Sequence, residues 1–154
     1  MKDTVTIVTG GAQGIGRSIA EFLASRGGDI AIFDPTDGPQ AGGAVPAMGR
    51  RASFYPVDVT SQQAVTEAVE RVVQDFGGVH NLVNNAGITI DRLLLRMKEE
   101  DWDRVLQVNL KSAFLCTRAV VRHLMKTGGS IVNISSVVGV MGNAGQANYA
   151  ASKA

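Results

Sequence analysis

Near its start the chain runs from a β-branched stretch, Val5-Thr6-Ile7-Val8, straight into glycines at positions 10, 11, 14 and 16. A helical pattern follows at once, with Ile15, Ile19, Phe22 and Leu23 at i, i+4, i+7 and i+8 on one face. A strand that turns through glycines into a helix has a definite physical use. Glycine permits the tight turn, lets backbone approach a bound phosphate, and lets the helix pack close to the strand. The helix N-terminus then points unpaired N–H groups at the same place. The spacing Gly10, Gly14, Gly16 predicts a dinucleotide site here, rather than a loop that merely happens to be glycine-rich.

The rest of the chain repeats the alternation. Asp29 to Asp34 reads as a second strand and Arg51 to Val59 as a third. Thr60 to Gln63 has capping-box spacing, with Thr60 at the cap. Val65, Ala68, Val69, Val72, Val73 and Phe76 then mark one helix face, closed by Gly77-Gly78. Val79 to Asn84 reads as a fourth strand, Glu99 to Lys126 as a long helix, Ser130 to Ile134 as a fifth strand, and a last helix begins near Gln146. Thr36 to Arg50, with four glycines and two prolines, is a poor helix and is expected to be a loop with at most a short helix. The order predicts an α/β fold with a parallel sheet and helices on both faces. No repeat or linker divides residues 1–154.

Composition removes the competing classes. The 18 glycines follow no Gly-X-Y period and prolines number only 4, so collagen and low-complexity readings fail. Net charge is +1 with no run of like charge, which offers nothing to nucleic acid or a membrane surface. The single cysteine, Cys116, suits a reducing compartment, and no His/Cys cluster suggests a metal. The first apolar run is too short for a signal peptide, so a cytoplasmic protein is expected. Thr127 to Ser152 carries no charge at all, which predicts burial around a site.

Asp34 ends the second strand, 18 residues after Gly16. A carboxylate there accepts the ribose hydroxyls of an adenosine and repels a 2′-phosphate, favouring NAD over NADP. The alternative is a turn aspartate before Pro35. Asp58 closes the third strand, either to receive an adenine amino group or as an exposed turn residue before Thr60.

These motifs resemble one family, the short-chain dehydrogenases/reductases, along the whole chain. TGGAQGIG (Thr9–Gly16) is similar to its coenzyme turn and NNAG (Asn84–Gly87) to the end of its fourth strand. Asn109, Ser136, Tyr149 and Lys153 resemble its catalytic four, with Ser136 13 residues before Tyr149. The resemblance implies a Rossmann-type doubly wound parallel sheet, C-terminally truncated, because family members continue past the catalytic lysine. It implies one incomplete dinucleotide-binding domain over 1–154, with Gly10, Gln13, Gly14, Ile15, Gly16, Asp34, Asp58, Val59, Asn85, Ala86, Gly87, Tyr149 and Lys153 around the coenzyme. Within the family, Asp91–Trp102 and Val137–Ala154 look most like the 3-oxoacyl-acyl-carrier-protein reductases of fatty acid biosynthesis. That subgroup usually favours NADPH and often carries a basic residue where Gln13 stands. Gln13 and Asp34 here both lean to NAD, with NADP as the alternative.

The chemistry fits the residue types. Tyr149 and Lys153 are i and i+4 on one helix face, and a cation beside a phenol favours the phenolate. Such a tyrosine gives a proton to a carbonyl oxygen as hydride arrives, or takes it in reverse. Ser136 hydrogen-bonds the same oxygen or simply caps a turn. Asn109 holds a water linked to Lys153, as the resemblance implies, or ties helix to strand. His80, His123 and Cys116 read as structural, and Trp102 as packing at a helix start.

The expected function is reduction of a 3-oxoacyl thioester, with an acidic acyl carrier protein as partner and a homo-oligomer (tetramer) in the complete protein. Arg122 and Lys126 read first as ordinary solvated helix-end cations, with contact to such a carrier as the alternative. The alternatives are an NAD-dependent alcohol, polyol or sugar dehydrogenase, and a catalytically incomplete nucleotide-binding or assembly module. An isolated chain ending one residue after Lys153 is expected to turn over weakly or not at all.

Overall fold

The computed structural model describes residues 2–36 and 48–154. The expected loop at Thr36 to Arg50 falls mainly on residues 37–47, outside the described residues. Five parallel strands form one sheet: β1 (Val5–Thr9), β2 (Asp29–Asp34), β3 (Ala52–Pro56), β4 (Asn81–Asn84) and β5 (Ser130–Asn133). Their spatial order is β3-β2-β1-β4-β5. The order reverses beside β1, and in open parallel sheets the crevice at such a switch point is where ligands bind.

β1 sits between β2 and β4, and all five of its residues are buried. That is why it reads as a β-branched run without charge rather than as an alternation with solvent-facing residues. Its side chains divide between two cores. Val5 and Ile7 join Phe33, Tyr55, Val65, Val69, Cys116 and Val120, beneath α2 (Gln62–Phe76) and α4 (Ser112–Thr127). Val8 joins Ala20, Ala24, Ile30, Ile32 and Val83 beneath α1 (Gly14–Ser25). Burial pushes the Cys116 thiol up to about 12, so it is inert packing at neutral pH, consistent with its structural reading.

Two boundaries depart from the sequence expectation. The cap of α2 is Ser61, whose hydroxyl accepts from the Ala64 N–H at 3.3 Å. Thr60 is drawn off by Asp58, donating its N–H and hydroxyl to Oδ1 at 2.9 and 2.7 Å. An aspartate turn thus takes the residue that the capping pattern assigned to the helix, and the next serine takes over. The long helix is three segments: α3 (Glu99–Leu106), a π-helical stretch Gln107–Lys111, and α4. The widened register turns Asn109 into the interior, where it is 6% exposed. A short helix, α5 (Val137–Met141), lies between β5 and the final helix α6 (Ala147–Lys153).

The uncharged stretch from Thr127 to Ser152 is not buried as expected. Val137, Val140 and Met141 are 67%, 86% and 79% exposed, and β5 is the most exposed strand. β5 pairs only with β4 and stands at the sheet edge, so among the described residues nothing covers its outer side. No helix among the described residues is long and apolar enough to cross a membrane.

An ion cluster around the buried Asp29 ties the strand starts together. Asp29 accepts from the Arg51 N–H and guanidinium at 3.1 and 2.9 Å, and pairs with Arg50 at 3.0 Å. Burial alone would raise the Asp29 pKa, but the Arg51 hydrogen bonds and both guanidinium charges outweigh it and hold the carboxyl below its ordinary 3.8. A depressed carboxyl stabilises the fold above its unfolded pKa and loses that effect as pH falls through the folded value. Asp29→Asn is therefore expected to lower stability fully at neutral pH, with the gap to wild type narrowing once the pH drops below 3.8. Urea midpoints across an acid series check this; a gap independent of pH would contradict it.

Candidate active site

The glycine turn is built as the residue types demand. Gly10 and Gly14 adopt φ of +63° and +54°, which L side chains rarely occupy. Gly16 has ordinary torsions but no room: a Cβ there would lie 2.2 Å from the Gly10 carbonyl oxygen. The first helical position of α1 follows Gln13, whose side chain makes no capping hydrogen bond. The first-turn N–H groups of α1 thus lack a side-chain cap, the condition under which a helix start receives an anion.

Thr9 and Asn85 fix this turn against β4. The Thr9 hydroxyl accepts from the N–H groups of Asn85 and Ala86, each at 3.0 Å, and its own proton points to the Val83 carbonyl. Asn85 Nδ2 donates to the carbonyls of Thr9 and Gly10 at 3.0 and 3.1 Å. Asn84 works in the other direction, donating Nδ2 to Thr117 and Asn133 and so joining β4 to α4 and β5. Thr9 was not singled out from the sequence. Its only signal is a threonine immediately before the first glycine.

A cleft of about 710 Å³ runs along the carboxyl ends of the strands. It brings together Gly10, Gln13, Ile15, Gly16, Asp34, Asp58, Val59, Asn85, Ala86, Gly87, Ser136, Tyr149 and Lys153. Gly14 lies instead in a shallow surface groove with Ile15, Ser18, Ile19 and Phe22. Asn109 borders a separate cavity on the other side of Lys153. The cleft also contains Thr36, Ile88, Thr89, Arg104 and Ser135, none of which the sequence marked.

At one end of the cleft Asp34 is 6% exposed and well engaged. Its Oδ2 accepts from the Ala12 N–H at 3.3 Å; its Oδ1 accepts from the Thr36 N–H and hydroxyl at 3.2 and 2.9 Å. The turn role and the cleft position therefore coexist in one residue. The same holds for Asp58, whose carboxyl is held low by the Thr60 hydrogen bonds, with Arg104 adding a smaller favourable charge.

At the other end stand three of the four residues singled out for chemistry. Ser136 caps α5 by accepting from the Val138 N–H at 3.2 Å. Its hydroxyl proton is not used in that bond and remains able to donate. Tyr149 and Lys153 share the face of α6 that lines the cleft. Lys153 is 8% exposed; its Nζ donates to the Ile134 carbonyl at 2.7 Å, and burial lowers its pKa. Asn109 Oδ1 accepts from the Ile88 N–H at 2.8 Å, while Nδ2 donates to the Ile88 carbonyl and to Ser152 Oγ at 3.0 and 2.9 Å. Its side chain thus ties the π-helical stretch to the loop after β4 and to α6, while its Oδ1 comes 3.3 Å from where a Gly87 Cβ would stand. His80 is structural too, accepting at Nδ1 from the Val5 N–H.

Comparison with known proteins assigns the fold and its cleft to a family. The short chain dehydrogenase family profile matches residues 4–154, and the chain belongs to that family. It is 45% identical to a 3-oxoacyl-acyl-carrier-protein reductase, FabG, of Vibrio cholerae over 155 residues, covering 100% of this chain and 63% of the relative. The Thermotoga maritima reductase of the same name is 46% identical over 157 residues, covering 100% of this chain and 64% of that one. The crystal structure of an NAD+-bound xylitol dehydrogenase superposes with a TM-score of 0.94 at 36% identity, covering 99% of this chain and 60% of the other. The chain thus spans somewhat under two thirds of the length of these relatives.

Proposed function

We propose that this chain binds NADH in the cleft and supports reduction of a 3-oxoacyl thioester to the 3-hydroxyacyl thioester. The observation that carries the reading is the cleft itself. One continuous groove has the uncapped start of α1 and Asp34 at one end, and Ser136, Tyr149 and Lys153 at the other. Its volume of about 710 Å³ and its glycine floor, where a Gly16 side chain would collide with Gly10, fit an extended dinucleotide. The first-turn N–H groups of α1 receive the pyrophosphate and Asp34 accepts a ribose hydroxyl. Bound there, the nicotinamide supplies or accepts the hydride.

This chain's residues do the rest. Tyr149 Oη donates its proton to the substrate carbonyl oxygen, and in reverse takes it from the alcohol. Ser136 Oγ donates a hydrogen bond to the same oxygen and fixes its position. Lys153 places a cation on the tyrosine's helix face, favouring the phenolate left after proton transfer. Asn109 and Ser152 hold α6 against the loop after β4, so that Tyr149 and Lys153 stay at the end of the groove. Gln13 and Asp34 support NAD over NADP. An acyl carrier protein as substrate donor, a cytoplasmic location and a tetrameric complete protein rest on the similarity to the reductases. Arg122 is paired with Glu70 on α2, which suits the ordinary reading of a surface cation at the helix end.

Similarity to an NAD+-bound xylitol dehydrogenase, together with Asp34, favours a second reading: an NAD-dependent dehydrogenase of secondary alcohols or polyols. The chain at stoichiometric concentration with coenzyme separates the two. The first reading expects loss of the reduced-nicotinamide signal on adding an acetoacetyl thioester, and a weaker response to alcohols with NAD+. A larger response to xylitol or another secondary alcohol supports the second. No response to any of them, with coenzyme bound, supports the third reading, a catalytically incomplete nucleotide-binding module.

A further inference from the structure

Asp34 does not stand alone at its end of the cleft. Among the described residues three donors, the Ala12 N–H, the Thr36 N–H and the Thr36 hydroxyl, converge on this one carboxylate. Two of the three come from Thr36, and both fall on Oδ1. Thr36 itself lines the cleft.

Two consequences follow from counting donors and lone pairs. A carboxylate oxygen has two good acceptor directions. Oδ1 is filled by Thr36, whereas Oδ2 holds only the Ala12 N–H, so one acceptor direction on Oδ2 stays available to a ribose hydroxyl. The carboxylate plane is also fixed before any ligand arrives, which lowers the ordering cost of binding. Conversely, a 2′-phosphate needs hydrogen-bond donors, and the three described here, from Ala12 and Thr36, are already turned to Asp34. The phosphate would meet a fixed negative charge and no free N–H or O–H from these residues.

We propose that Thr36 is a specificity-determining positioning residue: by holding Asp34 Oδ1 with its hydroxyl and N–H, it aims Oδ2 at the ribose and withholds its own donors from a 2′-phosphate. This rests on the cleft being a dinucleotide site, as proposed above. The residue acts through Asp34 and does not itself touch the reacting atoms. The hydroxyl is the part that a substitution can remove, because the Thr36 N–H remains in any variant.

Thr36→Val keeps the β-branch and volume and deletes only the hydroxyl. Thr36→Ser restores the hydroxyl without the methyl group. NADH and NADPH are titrated separately into wild type and both variants, by the fluorescence change of the reduced nicotinamide. Loss of the one hydroxyl bond that orients the carboxylate, taken at the strength of an ordinary hydrogen bond, predicts NADH binding about fivefold weaker in Thr36→Val. NADPH is expected to bind as before or more tightly, so the ratio of the two dissociation constants moves toward one. Thr36→Ser is expected to recover the wild-type ratio. A merely structural role would weaken both coenzymes together and leave the ratio in place, and that result overturns the proposal. So does a wild-type ratio in Thr36→Val, or failure of Thr36→Ser to recover it. If wild type binds neither coenzyme, the dinucleotide reading itself fails; if wild type prefers NADH and Thr36→Val keeps that preference, only the role of Thr36 fails.

Discussion

Gly16→Ala is expected to abolish NADH binding and to lower the stability of the fold by about 3 kcal/mol, the upper end of what overpacking costs. The new Cβ would lie 2.2 Å from the Gly10 carbonyl oxygen, 2.5 Å from Asn85 Nδ2 and 2.9 Å from the Gly10 carbonyl carbon. Two of those three atoms are backbone, which cannot swing aside as a flexible side chain can. Relief requires α1 to move away from β1, or the turn to open. Either movement strains the Asn85 hydrogen bonds to Thr9 and Gly10, and shifts the N–H groups that face the cleft. Gly14→Ala is the internal control. A Cβ there meets nothing within 4 Å, and the only cost is the positive φ of +54°. That conformational cost is roughly 1–2 kcal/mol for an L-residue. Denaturant midpoints and NADH titration of both variants check the contrast. Equal, small effects at the two positions would contradict the close packing of helix on turn.

Tyr149→Phe carries the second large effect, and it should be confined to chemistry. Removing the phenol hydroxyl removes the proposed proton donor, a role worth about 10²–10⁴ in rate. The hydroxyl makes no hydrogen bond among the described residues, while the backbone of Tyr149 is held by Asn148 and Ser152. The substitution therefore leaves the fold in place, with a stability change within about 0.5 kcal/mol. The single-turnover rate of the chain with bound NADH and an acetoacetyl thioester is the direct readout, alongside the coenzyme dissociation constant. Against the weak turnover expected of the chain, a large further rate loss with unchanged coenzyme affinity is expected. A variant that retains the wild-type rate would remove Tyr149 from proton transfer.

The glycine turn, Asp34 and the spacing of Tyr149 and Lys153 were legible in the sequence because each depends on local geometry. A positive φ, a strand end and an i, i+4 pair leave marks a few residues apart. What stayed hidden depends on long-range approach. Thr9 meets Asn85 and Ala86 only because β1 and β4 pair, 76 and 77 residues apart in sequence. The π-helical stretch was read as plain helix because five residues of altered register do not disturb an apolar pattern that long. Ser61 displaced Thr60 as the helix cap because Asp58 competes for Thr60, a competition that a pattern of residue types does not rank. Lack of charge between Thr127 and Ser152 predicts burial, but Val140 and Met141 stand exposed. Composition records what a segment can tolerate against it, and says nothing of whether a neighbour is there.

The engagement of Asp34 and Ser136 in local hydrogen bonds sharpens the reading of both. Each residue had a structural and a functional interpretation, and the geometry makes the two compatible. The Thr36 and Ala12 donors leave one side of the Asp34 carboxylate open, and the Val138 N–H occupies only an acceptor site of Ser136. Local bonds of this kind pre-orient a side chain for a ligand instead of competing with it.

The most direct measurement is a crystal structure of the chain soaked with NADH. The pyrophosphate is expected at the start of α1, a ribose hydroxyl on Asp34 Oδ2, and the nicotinamide ring beside Ser136 and Tyr149. Coenzyme bound elsewhere, or bound in this cleft with its nicotinamide away from Tyr149, would contradict it.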